Sequence, residues 1–449
     1  MLIKVKIENF MSIGSLQEFS MIAGKVRGKR EHLLINKNLN LLRLSAIYGA
    51  NASGKSNFIN ALDFAQSVIV SGIPKGFSQK YNRSNEQNKN KISHFEFEIK
   101  INNKFFNYGF EILLSENSIT KEWLYEISKD FSNMIFIRDL LKKDFSIGHY
   151  FKKDDILNRI HIYFDDTKLD ESVLFLSVMN RDKSELYKIK SELMIFKNIF
   201  NWFDDDLDIN YPDKPFSNYS YFMTKSNSEE IFNTINKFST GITNFNIIDA
   251  RREDISNSIP DGLLKDVRED LEKKIIRSKK GEISREEIGI LLRSDKEFFI
   301  FEIDENYNIV TKTIEFEHGN YGTFNICEES DGTRRILELI EILFSENNNK
   351  IYVIDEIDRS LHPLLTYKFI ESYLKSLAKK NIQLIVTTHE SRLLDLDLLR
   401  RDEIWFINKN SNNESELYSL EQFNERFDKR IDKSYLLGRY NAIPNFDEV

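Results

Sequence analysis

The segment Gly49-Ala50-Asn51-Ala52-Ser53-Gly54-Lys55-Ser56 fills the pattern G-x-x-x-x-G-K-[ST] at every fixed position. Two glycines at that spacing let the backbone curl so that successive N–H groups face inward on an anion. A helix opening at the lysine adds its positive end to the same place. Lys55 would reach the outer phosphates of a nucleoside triphosphate, and Ser56 would offer a hydroxyl to Mg2+. A tight strand-to-helix turn alone does not call for lysine and serine together at those positions. The expected ligand is therefore ATP or GTP.

A second run, Tyr352-Val353-Ile354-Asp355-Glu356-Ile357-Asp358, ends an apolar strand in acids. A carboxylate at the end of a buried strand is costly without a partner, and nucleotide-bound Mg2+ is such a partner. Asp355 would hold the ion, largely through water. Glu356 would stand beside the γ-phosphate and accept a proton from an attacking water. Lys55 and Asp355 are 300 residues apart (355 − 55). One sheet must therefore gather both ends of the chain while the middle loops out.

The elements around these residues read accordingly. Residues 41–48 are an apolar run suited to a buried parallel strand, and a helical pattern follows the glycine loop. The first residues alternate like a strand up to Asn9-Phe10. From about residue 92 two strand patterns flank Asn102-Asn103, a hairpin turn, and further short strands follow to about 165. Residues 165–295 have helical spacing, and 263–292 are dense in opposite charges three and four apart. That charged run reads as a solvated helix pair or as a partner surface. Strand and helix then alternate to the end, which indicates a parallel sheet. The expected organisation is an N-terminal lobe over 1–165, a mainly helical insertion or arm over 166–300, and a C-terminal lobe over 301–449.

With 449 residues the chain is long enough for two or three domains with a sizeable core. No apolar run reaches the length of a membrane span, and the N-terminus lacks the apolar centre of a signal peptide. Cys327 is the single cysteine, which excludes an intrachain disulfide framework and a thiolate zinc site. The expected location is the cytoplasm, with no membrane association. A net charge of −8 argues against a uniformly basic nucleic-acid binder, though not against a local basic face.

In order along the chain, GxNxSGKSN, ESDGTRR, VIDEID followed by SLHP, and TTH resemble the ordered signature of ABC-type ATPases. The likeness is to the branch holding SMC-like and RecF-like proteins and the ATPases of anti-phage systems. Within it the chain resembles the compact abortive-infection ATPases of the AriA-like and RloA-like kind. The resemblance covers roughly residues 1–125 and 310–449, and the closing YLLGRYNAIPNF resembles their tails. It implies an α/β ABC-type head: a mixed sheet with flanking helices, an antiparallel β-subdomain and a helical insertion. It adds Asn51, Ser53 and Asn57 to Gly49, Gly54, Lys55 and Ser56 as nucleotide contacts. It makes Ser330 and Gly332 the signature that meets the γ-phosphate of a partner subunit, although Asp331 stands where the commoner form has glycine. It makes Asp358 the residue coupling two sites across a dimer and His389 the switch histidine at the γ-phosphate. Asn9 and Phe10 resemble the position beside the base. His362 is read as a cap before Pro363. Gln66, Gln79 and Gln87 are candidates for the family's glutamine, with none assigned.

The resemblance implies ATP and Mg2+ as cofactors and a homodimer or higher homo-oligomer. It further implies a defence role, as a sensor or scaffold controlling a separate effector, a nuclease or toxin encoded nearby. OLD-type relatives carry a nuclease after the ATPase, whereas about sixty residues follow His389 here. The alternative is a RecF-like repair accessory binding duplex DNA, to which the basic runs at 138–143 and 273–280 would contribute. A transporter subunit fits neither the long insertion nor the signature.

Overall fold

The computed structural model describes residues 1–449 apart from 27, 36–38, 129–130, 188–191, 213–219, 224–227, 281–287, 294–297, 346, 377–379, 424–429 and 444–449. Residues 281–287 of the charged run and the last three residues of the YLLGRYNAIPNF tail thus lie outside the described residues. The chain forms two compact units, one of residues 1–212, 347–358 and 374–449, the other of 213–346 and 359–373.

The first unit holds two sheets. One has the strands β1 (Leu44–Tyr48), β2 (Leu207–Asn210), β3 (Ile351–Ile354), β4 (Gln383–Thr388), β5 (Ile404–Lys409) and β6 (Ser415–Ser419). Their spatial order is β2-β3-β4-β1-β5-β6; all neighbours are parallel except β5 and β6. β1, β3 and β4 are buried at every residue, as strands covered on both faces must be. The helix α1 (Lys55–Val70) follows β1 and buries Phe58, Ile59, Leu62 and Phe64.

The other sheet is antiparallel, with seven strands in the order 144–147, 132–139, 118–127, 104–113, 93–101, 2–8 and 17–20. Asn102 and Asn103 both take positive φ, 48° and 66°, the requirement of a two-residue hairpin. Along 93–101 the residues Ser93, Phe95, Phe97 and Ile99 turn inward by strict alternation. Gln383 joins the two sheets: it accepts from the Leu2 N–H at 2.7 Å and donates to the carbonyls of Leu2 and Leu42, each at 3.0 Å.

The compact units do not follow the expected boundaries at 165 and 300. Residues 166–212 belong to the first unit, where Phe175, Phe196, Trp202 and Phe203 share its core. A buried polar clamp secures them. Glu122 accepts from the Tyr108 hydroxyl at 3.0 Å and from the N–H groups of Phe175 and Leu176 at 2.6 and 3.0 Å. Arg138 donates to the carbonyls of Thr167, Asp170 and Val173 at 2.6–2.8 Å. Burial raises the Glu122 carboxyl above the usual carboxylate range, and Arg138 opposes the shift.

The second unit carries a sheet as well as helices. The strands 244–249, 309–317, 298–303 and 289–293 pair antiparallel in that order, with 323–325 added to 309–317. Residues 301–346 therefore join the insertion rather than the C-terminal lobe, because 309–317 pairs with 244–249. The charged helix Asp261–Lys279 buries only Val267 and Leu271, in one cluster with Phe299 and Phe301. Among the described residues no helix is long and apolar enough to cross a membrane.

Candidate active site

Parallel pairing aligns the carboxyl ends of the central strands. Thr388 of β4 lies opposite Tyr48 of β1, and Ile354 of β3 opposite Val386 of β4. The residues that follow, Gly49, Asp355 and His389, thus leave the sheet along one edge. Open parallel sheets bind ligands at this edge.

Close packing explains both glycines of the loop. A Cβ on Gly49 would lie 2.4 Å from the Ile407 carbonyl oxygen and 2.5 Å from Ser53 Oγ. Gly54 has φ 114° and caps α1, and a Cβ there would meet Ser415 Oγ at 2.1 Å. Lys55 is buried, its Nζ donating to the carbonyls of Gly49 and Ala50 at 2.9 and 3.1 Å. Burial lowers its pKa to about 8, against the pull of Asp355, Glu356 and Asp358. Ser53 is buried with no partner for its hydroxyl among the described residues, while Asn51 and Ser56 are exposed.

Two residues that the sequence did not mark brace this loop. Ser415 Oγ donates to the Ser53 carbonyl at 2.6 Å and lies 2.7 Å from Ser12 Oγ. Asn57 Nδ2 donates to the same Ser12 oxygen at 2.7 Å.

The acidic side is held by Thr387, the first residue of the TTH run, whose role the resemblance does not name. Its hydroxyl donates to the buried Asp355 carboxylate at 2.5 Å and accepts from the Glu356 N–H at 2.8 Å. Glu356 sits at φ 50°, left-handed backbone that a non-glycine residue adopts at a cost. The Thr387 contacts on both sides hold it there, since the Ile357 N–H also donates to the Thr387 carbonyl at 3.1 Å. Asp358 receives the His389 N–H on both oxygens, each at 3.4 Å. The His389 imidazole is held below its ordinary pKa by desolvation and by the Lys55 charge, which Asp358, Glu356 and Asp355 partly offset.

Ser330 and Gly332 lie in the second unit, at the start of α2 (Asp331–Phe344). Ser330 caps the helix, its Oγ accepting from the Thr333 N–H at 3.1 Å. A Cβ on Gly332 would come within 2.9 Å of the Ser360 carbonyl oxygen. Both residues line an open cleft with Ser239, Thr240 and Ser360. His362 caps as expected, Nδ1 accepting from the Leu364 N–H at 3.2 Å.

The expectation for Asn9 and Phe10 meets the structure differently, and one of the three candidate glutamines, Gln66, is engaged elsewhere. Phe10 is fully buried and stacks on Phe64 and Phe77, so it presents no face to a base. Asn9 is buried too and donates to the carbonyls of Asn88 and Lys91. Gln66 is turned away from the loop, donating to the Phe203 and Leu207 carbonyls at 2.6 and 2.7 Å.

A family model described as "AAA domain, putative AbiEii toxin, Type IV TA system" matches residues 44–395. The chain belongs to this family. Comparison with curated proteins gives no match. Solved structures of SMC heads are similar at low identity. An SMC head bound to the C-winged helix domain of ScpA is 15% identical, with 93% of this chain and 97% of that one covered and a TM-score of 0.44. An SMC head domain from Thermotoga maritima is 12% identical, covering 93% and 98%, with a TM-score of 0.35. An SMC head with an extended coiled coil, bound to the C-terminal domain of ScpA derived from Pyrococcus furiosus, is 14% identical, covering 98% and 99%, with a TM-score of 0.38.

AAA ATPase families ordinarily bind ATP with Mg2+, and the residues present fit that pair. The Ser56 hydroxyl and the Asp355 carboxylate are hard oxygen donors of the kind Mg2+ takes. Among the described residues no three His, Cys, Asp or Glu side chains gather into a protein-only metal cage. An ion here would complete its shell from phosphate and water. The buried Ser53 hydroxyl, without a partner among the described residues, and the Lys55 ammonium folded onto loop carbonyls are groups that a phosphate would satisfy.

Proposed function

We propose that this AAA-family chain binds and hydrolyses Mg–ATP between two copies of itself, and that the closed pair controls a separate effector in anti-phage defence. The observation carrying the first part is the meeting of Lys55, Asp355, Glu356 and His389 at one sheet edge. Loop N–H groups and Lys55 hold the phosphates. Mg2+, when bound, neutralises charge on the β- and γ-oxygens. Glu356 accepts the proton of the attacking water, and His389, held toward its neutral form, donates its ring N–H to the γ-phosphate. Ser330 and Gly332 complete the site of the other copy from a helix N-terminus. The defence role rests on the sequence resemblance to abortive-infection ATPases. In the basic run at 138–143 Arg138 is fully buried while Lys142 and Lys143 are exposed, so only the two lysines are open to a DNA backbone in the DNA-repair reading.

Shared sites predict complementation. Lys55→Ala and Ser330→Arg chains should each lose ATP hydrolysis. Mixed in equal amounts they should regain about a quarter of the unaltered rate, since half the dimers are mixed and each holds one complete site. Additive, near-zero rates at all mixing ratios would refute the shared site.

The lowered Lys55 pKa sets a pH dependence. Its ammonium must be present to meet a phosphate, and in the nucleotide-free chain it titrates at about 8. Below that pH affinity should be flat. Above it binding must first take up a proton, so affinity should fall by up to about tenfold per pH unit until the ordinary lysine range near 10.4. Titration calorimetry at pH 9 in two buffers of different ionisation heat should show proton uptake. A pH-independent affinity between 7 and 9.5 would contradict it.

A further inference from the structure

Ser330 has an acid on each side in the sequence, Glu329 and Asp331. A carboxylate beside an anion site repels the anion, so both charges call for a partner. Asp331 is exposed and pairs with Arg334 one turn along α2. Glu329 is only 7% exposed, and a buried carboxylate without a partner is costly. His318 is that partner, its Nε2 lying 2.7 Å from Glu329 Oε1. A carboxylate only accepts, which puts the proton on Nε2.

The turn that carries His318 is fixed from both sides. The Gly319 N–H donates to Thr243 Oγ1 at 2.7 Å, and the Thr243 N–H donates to the Glu317 carbonyl at 2.7 Å. The imidazole stands edge-on to Phe324, with centroids 5.3 Å apart and planes at 85°. All of these residues belong to the second unit, as do Ser239 and Thr240, which line the cleft with Ser330.

We propose that His318 is a positioning residue for the signature: by binding the Glu329 carboxylate it keeps that charge engaged beside Ser330, so that Ser330 and the start of α2 can take the γ-phosphate of another copy. The inference rests on the shared-site reading above. His318 acts through Glu329 and is not itself a phosphate contact. Without it the carboxylate stays buried and unpaired or turns outward beside Ser330, and either outcome weakens the phosphate contact.

The test is ATP hydrolysis by three variants. His318→Leu removes the donor and should be about 10- to 100-fold slower, the size of a lost hydrogen bond to a charged group. His318→Gln can still donate to Glu329 and should stay within about threefold of the unaltered rate. His318→Leu combined with Glu329→Gln should also return to within about threefold, because the unpaired charge is gone. A packing role alone would leave this double variant as slow as His318→Leu. Where leucine does not fold, His318→Asn takes its place, since its shorter amide ends short of Glu329. Mixed in equal amounts with Lys55→Ala chains, His318→Leu should regain about a quarter of the unaltered rate, and mixed with Ser330→Arg chains it should gain nothing. His318→Leu at the unaltered rate, a double variant that stays slow, or recovery with Ser330→Arg overturns the inference alone. Failure of Lys55→Ala and Ser330→Arg chains to complement each other overturns the shared-site reading and the inference with it.

Discussion

Glu356→Gln is expected to lower kcat for ATP hydrolysis by about 10²–10⁴-fold, the range a positioned general base supplies. The amide has nearly the shape of the carboxylate but cannot take the proton of the attacking water. The fold should tolerate it, because the anchor is the backbone: the Glu356 N–H donates to Thr387 Oγ1 at 2.8 Å, and φ at this residue is 50°. Mg–ATP affinity should stay within about twofold, since the base acts in the transition state rather than in binding. The variant should therefore hold ATP and accumulate in the closed pair. Single-turnover rates and equilibrium binding on the same preparation separate the two effects. Turnover at the unaltered rate would remove Glu356 from the role of base.

Thr387 bears on the same result. Its one hydroxyl bridges Asp355 and the Glu356 N–H, linking the residue that would hold the ion to the residue that would take the proton. In the sequence it opens the TTH run, where the resemblance gives a role to His389 alone, and a β-branched residue ending an apolar strand otherwise reads as a packing choice. The glycine loop was legible because strand, glycines, lysine and helix are contiguous. Asp355 and Glu356 were legible because acids ending an apolar strand break its pattern. Ser12 and Ser415 were not, since their contact joins hydroxyls 403 residues apart and small polar residues carry no periodicity.

The compact units cut across the expected boundaries for a related reason. The second unit is built on short strands separated by charged helices, and its defining pairing joins 244–249 to 309–317. Helical spacing dominates 165–295, so the strands 244–249 and 289–293 leave little local trace there, whereas 298–303 and 309–317 read as strands. Residues 166–212 were assigned to the insertion because the Glu122 and Arg138 clamp that fixes them is invisible as pattern. Each is a charged residue in a strand, where exposure is the ordinary expectation. Phe10 shows the converse: a strand-end aromatic is as consistent with a core stack as with a base, and here Phe64 and Phe77 claim it.

Lys55 carries the other large effect. Its Nζ is held over the loop by hydrogen bonds to the carbonyls of Gly49 and Ala50, with no ion pair of its own among the described residues. A phosphate arriving there would exchange two neutral acceptors for a charged one, and charge-assisted hydrogen bonds contribute about 1.5–3 kcal/mol. Lys55→Ala removes that contact while Gly54, Ser12 and Ser415 still shape the loop. The most direct measurement is an equilibrium titration of Mg–ATP at pH 7 into the unaltered and Lys55→Ala chains. Saturable binding by the first, weakened about 10- to 150-fold in the second, is the predicted result; no binding by the unaltered chain, or equal binding by both, would contradict it.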